Sequence, residues 1–235
     1  MIPKAALILA AGASTRFGKN KLLTKIGDRT LPQQCVEFAI NNGMDDVYVT
    51  ISKRDFFFLN DHKTLTHPII ESLSPYDCLI NLHYQFQNEE EKGPGAAIKV
   101  WQGIINKPFV CLFGDNYYSG SLPYMDFNEY DCFVSYRELE KNSRNLQLAY
   151  LDGNIVIEKP HAFTEGKFFC GYTAFSEKVF DQLNNCLISG RGEYEITDLI
   201  NFMDRRCFLF NSLVWGDITF AGDEAKIVDM IGGKK

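Results

Sequence analysis

An apolar stretch, Leu7-Ile8-Leu9-Ala10, runs straight into a loop of small residues, Ala11-Gly12-Ala13-Ser14-Thr15, closed by Arg16, Lys19 and Lys21. Small side chains let successive backbone N–H groups approach one anion and form a nest for phosphate oxygens. The three cations beyond the turn could offset several negative charges, so the chemistry indicated is polyphosphate binding. Two common phosphate loops fail on spacing. A Walker loop needs four residues between its glycines and Ser or Thr after the Lys, whereas Gly12 and Gly18 enclose five and Lys19 precedes Asn20. The dinucleotide fingerprint G-x-G-x-x-G is absent, because Ser14 stands where its second Gly would be. Without its cations the stretch would read as an ordinary Gly-rich turn between strand and helix.

A second chemical group is Asp115, in Gly114-Asp115-Asn116 after the apolar run Phe109 to Phe113. Ligands of open parallel sheets collect beyond the carboxyl ends of the strands, where this Asp would emerge. Turn chemistry alone would also account for an Asp there. Zinc and disulfide chemistry are not expected. The seven cysteines are scattered without a C-x-x-C pair, and the four histidines lack H-x-x-x-H spacing. Reduced, buried thiols in a cytoplasmic protein are the expectation.

The elements that must position these groups alternate in the first half. Ala5 to Ala10 is a buried strand, Leu31 to Asn42 a helix stopped by Gly43, and Asp46 to Ile51 a second strand. Lys53 to Glu91 reads as short strands and irregular loops, followed by a helix at Ala96 to Ile105 and a strand at Phe109 to Phe113. That order points to an open α/β fold with a mostly parallel sheet flanked by helices. The second half reads as strands at Cys132 to Tyr136, Leu146 to Tyr150, Ile155 to Ile157 and Phe168 to Phe175, with a turn at Asp152-Gly153-Asn154. Helices at Glu177 to Asn184 and Glu193 to Met203, strands at Cys207 to Phe210 and Leu213 to Trp215, and a helix at Asp223 to Met230 complete it. With 235 residues and no linker, one domain is expected, residues 1–120 binding nucleotide and 121–235 forming the acceptor half as a small extra β lobe over the cleft. A net charge of −6 argues against nucleic acid as the main partner. No apolar run is long enough for a membrane span, and no signal peptide is expected.

The loop A-A-G-A-S-T-R-F-G-x-x-K resembles the signature of nucleotidyltransferases that join a nucleoside triphosphate to a sugar 1-phosphate, and is similar to that of related cytidylyltransferases and molybdopterin guanylyltransferases. The resemblance implies a Rossmann-like fold in which Leu9, Ala10, Ala11, Gly12, Ala13, Ser14, Thr15 and Arg16 bind nucleotide. It puts Arg16 on the leaving pyrophosphate and Lys21 near the reacting phosphates. Gly114-Asp115-Asn116 looks like the G-D-N of glucose-1-phosphate thymidylyltransferases, implying Asp115 as a magnesium ligand that also faces nucleotide, with Asn116 towards the acceptor. Val156 to Pro160 resembles V-x-E-K-P, implying Glu158 on the sugar and Lys159 on its phosphate. Gly171-Tyr172 is similar to a strand lining the sugar pocket, and Arg191 to Asp198 to R-G-E-x-E-I-T-D, whose Arg holds the sugar phosphate. Trp215 to Thr219 is similar to W-x-D-x-G-T, implying Asp217 as the second magnesium ligand. Gly93 and Gly95 fall where the family approaches base and ribose, although a helix entry with an early Pro would look the same.

Taken residue by residue, Glu158-Lys159 could be a solvated hairpin and Glu193 to Asp198 a capped helix start. The departures from the family pattern are Thr24 in place of a Pro, and Thr219-Phe220 in place of the closing G-T. The chain ends soon after Asp217, so no allosteric site like that of longer thymidylyltransferases is expected. The implied partners are a nucleoside triphosphate, a phosphorylated small molecule such as a sugar 1-phosphate, and Mg2+, in nucleotide-sugar supply to polysaccharide biosynthesis. The oligomeric state stays open, a homodimer being one option. The alternatives are a CTP-dependent transferase acting on a small phosphate such as phosphocholine, and a non-catalytic nucleotide sensor of the same fold. A nucleotide-sugar-dependent glycosyltransferase would bring a D-x-D motif, and none lies near Asp115.

Overall fold

The structure is a computed structural model that describes residues 1–12, 20–58, 65–160, 162–209, 213–220 and 222–232. Its first strand, β1 (Ala5–Ala10), has no polar side chain and is almost entirely buried. Such a strand is stable only with packing on both faces. Ala6, Ile8 and Ala10 pack with Cys35, Val36 and Ala39 of helix α1 (Leu31–Asn41) on one side. Ala5 and Leu7 pack on the other with Ile98 and Trp101, at and just beyond a short helix, Pro94–Lys99.

Three strands run parallel beside β1. β2 (Asp46–Ile51) pairs with one edge of it, β3 (Asn81–Phe86) adds outside β2, and β4 (Phe109–Phe113) pairs with the other edge. Strand β5 (Asn116–Gly120) then leaves this sheet, and β6 (Cys132–Leu139), β7 (Tyr150–Asp152), β8 (Ile155–Ile157) and β9 (Gly166–Phe175) return to it. β9 pairs antiparallel with β4 and carries β6 and β7. β10 (Arg205–Leu209) lies parallel on β6, so the main path reads β8-β7-β9-β4-β1-β2-β3. β11 (Leu213–Asp217) pairs with β5 in a separate ladder. The expected mostly parallel sheet is present, and the second half extends it through β9.

Several expected boundaries shift for local reasons. β3 replaces irregular structure: it alternates polar residues such as His83 with partly buried ones, because an edge strand has less to bury. The helix expected to reach Ile105 stops at Lys99 and passes into turns, where the Trp101 indole donates to Thr50 Oγ1 at 2.8 Å. The strand expected at Leu146 begins at Tyr150, because Ser143–Gln147 forms a 3-10 turn capped by the Asn142 side chain. The helix expected from Glu193 starts at Ile196, and Glu177–Asn185 winds as a 3-10 helix.

Thr50 holds the helical layer to the sheet. Its hydroxyl, fully buried, donates to Ala97 O at 2.7 Å while accepting from Trp101. Thr50→Val keeps the shape and strands both partners, so it should lower stability by about 1–3 kcal/mol in denaturant unfolding.

Candidate active site

The carboxyl ends of β1, β2 and β4 open into a cavity of about 830 Å³. At one end, Gly114 N–H donates to Leu9 O at 3.0 Å, which brings the chain after β4 against the end of β1. Asp115 thereby faces the start of the small-residue loop, where Ala11 and Gly12 line the wall. Arg54 Nη2 donates to Ala11 O at 3.1 Å. Lys21 Nζ pairs with Asp115 Oδ2 and donates to Ile218 O at 3.2 Å.

The ladder of β5 on β11 aligns Asn116 with Asp217. This register brings two carboxylates far apart in sequence to one amide. Asn116 Nδ2 donates to Asp115 Oδ1 at 2.8 Å and to Asp217 Oδ1 at 3.2 Å. The Thr219 hydroxyl donates to Asp217 Oδ2. Thr219 is held in turn by Asp223 at the start of helix Asp223–Gly232, whose carboxylate accepts from the N–H groups of Thr219 and Phe220 and from Arg144. Removal from water and the neighbouring Asp115 charge push the Asp217 carboxyl up to about 6.

At the other end, Arg191 sits among three carboxylates. It reaches Glu195 Oε2 at 2.6 Å, Glu158 Oε1 at 2.9 Å and Glu193 Oε2 at 3.4 Å. Lys159 Nζ lies 3.2 Å from Glu158 Oε1, on a left-handed backbone (φ 38°) that is uncommon outside Gly and Asn. The two ends of the cavity are stitched along one side. Tyr194 N–H donates to Lys92 O at 2.7 Å, and Gly95 N–H to Tyr194 O at 2.8 Å. Gly93 is the residue this approach requires: at φ +96°, an added Cβ would lie 2.5 Å from Tyr194 O.

Residues 6–102 match the family model of the MobA-like NTP transferase domain. The first part of the chain is thus similar to nucleotidyltransferase domains. It is 25% identical over 207 residues to the bifunctional protein GlmU of Methanocaldococcus jannaschii, covering 84% of this chain and 46% of that protein. It is 23% identical over 214 residues to the UTP–glucose-1-phosphate uridylyltransferase AglF of Haloferax volcanii, covering 85% and 83%. The chain spans about half the length of the GlmU proteins it matches. A UDP-glucose pyrophosphorylase solved with UDP-glucose superposes with a TM-score of 0.77 at 19% identity, covering 100% of both chains, which is a likeness of fold. Among the described residues, no helix is long and apolar enough to cross a membrane.

Of the residues singled out in the sequence, Leu9, Ala11, Gly12, Lys21, Gly93, Asp115, Asn116, Glu158, Lys159, Gly171, Arg191 and Asp217 share this cavity. Ala13, Ser14, Thr15 and Arg16 lie outside the described residues. Tyr172 does not line the cavity, contrary to expectation. Side chains alternate along a strand, so with Gly171 facing the cavity Tyr172 points into the core, where it meets Phe208. Ala10 is likewise turned into the core behind Leu9, and Gly95 lies against Tyr194 off the cavity wall.

Sequence reading missed Arg54, Gln87 and Lys92 on the wall. Arg54 and Gln87 fall in the stretch read as short strands and irregular loops, Lys92 follows directly after it, and Gln87 donates from its side chain to Glu91 O at 2.9 Å. Glu193 and Glu195 were in view beside Arg191, but their convergence on it depends on the extended path before Ile196.

Among the described residues, no three His, Cys, Asp or Glu side chains gather as a metal cage. The oxygen pair of Asp115 and Asp217 nevertheless suits a hard divalent cation that takes its remaining ligands from phosphate and water. Lys21 already places a positive charge on this pair.

The raised Asp217 carboxyl fixes the sign of a pH effect in metal-free protein. The folded state holds the proton more tightly than the unfolded chain, so Asp217 costs stability as pH rises from about 4 through 6. Asp217→Asn should therefore melt higher than the parent at pH 8, and the gap should close below pH 4. A thermal melt series without metal checks it.

Proposed function

We propose that this protein joins a nucleoside triphosphate to a sugar 1-phosphate, releasing pyrophosphate and leaving an NDP-sugar. One observation carries the reading: Lys21, Asp115 and Asp217 stand in the same cavity as Glu158, Lys159 and Arg191. The first set suits the phosphates of the donor and the second a phosphorylated, hydroxyl-bearing acceptor. The relation to AglF, which acts on UTP and glucose 1-phosphate, supports the same substrate class.

A sugar 1-phosphate loses its second proton near pH ~6, so at neutral pH it is a dianion and already nucleophilic. No general base is required, in keeping with a described cavity wall that carries no His. Catalysis then rests on alignment and neutralised charge. Lys159 and Arg191 draw in the acceptor phosphate and offset its repulsion by the donor. An oxygen of that phosphate attacks the α-phosphorus in line, and pyrophosphate departs on the opposite side; the resemblance in sequence gives Arg16 the role of offsetting its charge. Lys21 moves from Asp115 to the phosphates as they arrive. Asp115 and Asp217 would hold Mg2+, which when bound supplies positive charge to the phosphate oxygens at the reacting centre. The chain divides largely by role, residues 1–120 holding the donor and 121–235 the acceptor, with Asp217 returning to complete the carboxylate pair at the donor phosphates.

Pyrophosphate release over a grid of four nucleoside triphosphates and a panel of sugar 1-phosphates, inositol phosphate and phosphocholine tests the reading. Release with a sugar 1-phosphate is expected, and none with any pair would overturn it. Asp115→Asn should cut turnover by orders of magnitude with little change in circular dichroism, and near-normal turnover at saturating Mg2+ would remove Asp115 from its role. Lys159→Ala should raise KM for the sugar phosphate selectively, measured by varying each substrate in turn.

A further inference from the structure

The two aspartates are joined by the Asn116 amide, and the amide is itself fixed from behind. Trp215 Nε1 donates to Asn116 Oδ1 at 2.7 Å, and Asn116 and Trp215 are only 5% and 8% exposed. A primary amide has one donating and one accepting end, and nothing in its shape selects between two orientations. An indole N–H can only donate, so it commits Oδ1 to Trp215 and turns Nδ2 towards the carboxylates. With the amide reversed, its oxygen would face two carboxylate oxygens.

The indole reaches this position because Gly171 has no side chain. At Gly171 (φ +83°), an added Cβ would lie 2.0 Å from Trp215 Nε1 and 2.5 Å from Cδ1. The Gly171 carbonyl accepts from the buried Tyr118 hydroxyl, which also accepts from Phe113 N–H at 3.0 Å. The backbone under the indole is thereby tied to β4, the strand that delivers Asp115.

We propose that Gly171 and Trp215 are positioning residues for a divalent-cation site: they set the Asn116 amide so that Asp115 and Asp217 are held side by side. The proposal rests on the reading that these aspartates take a metal ion. It gives Gly171 and Trp215 a task other than walling the acceptor pocket, which their place on the cavity surface would also suggest.

The probe is Mn2+ alone, titrated into the full chain and followed by electron paramagnetic resonance, with Asp217→Asn as control. Trp215→Phe removes the N–H and keeps an aromatic ring, and Gly171→Ala displaces the indole. Each should raise the apparent Kd for Mn2+ about 10-fold or more, the usual cost of losing a ligand's supporting contact. Trp215→Phe should add nothing to Asn116→Ala, because both break one chain of contacts. Circular dichroism checks folding, and Gly171→Ala carries the test if Trp215→Phe does not fold. Unchanged Mn2+ affinity in the folded variants, or a defect confined to acceptor KM, overturns the proposal alone. Parent protein that binds Mn2+ no better than Asp217→Asn overturns the metal reading together with it.

Discussion

Two negative charges drawn out of water onto the same few ångströms repel each other, and this site is organised around that cost. The Asn116 amide hydrogen-bonds to both carboxylates, Lys21 pairs with one, and the Thr219 hydroxyl serves the other. The residual strain is visible in the raised Asp217 carboxyl. A site that must accept a cation beside an arriving polyanion gains from being short of positive charge beforehand. The arrangement is therefore poised, with its charge balance completed by what it binds.

The sheet delivers these groups through one strand. β4 lies between β1, which leads into the small-residue loop, and β9, which carries Gly171. The two ends of the cavity thus share a central strand, and β11 returns late in the sequence to set Asp217 opposite Asn116. A residue late in sequence completes a site begun at the first strand.

Much of this was legible in the chain, for identifiable reasons. β1 and β4 are buried on both faces and announce themselves as continuous apolar runs, and β2 does nearly so, with Asp46 and Thr50 among apolar residues. β3 sits at an edge and mixes His83 and Gln85 with partly buried neighbours, so it carries no such signal. Asp115 and Asp217 were legible as strand-end acids within recognisable strings. The bridging by Asn116 was not, because it depends on the pairing of β5 with β11 across 101 positions of sequence separation. Tyr172 was read together with Gly171 as one string, yet Tyr172 packs into the core while Gly171, at φ +83° beside a register shift between β6 and β9, faces the cavity. The pairing of Arg191 with three glutamates was not legible: the extended path through Tyr194 brings Glu193 and Glu195 to it, and Glu158 reaches it from the end of β8.

The backbone stitch between Lys92–Gly95 and Tyr194 makes one flank of the cavity a seam. Main-chain bonds there join the loop before helix Pro94–Lys99 to the segment that orients Glu193 and Glu195, so the two walls are held as one. A ligand edging between them would have to break paired amides. That flank is therefore closed by backbone, and the way into the cavity lies along its other rim.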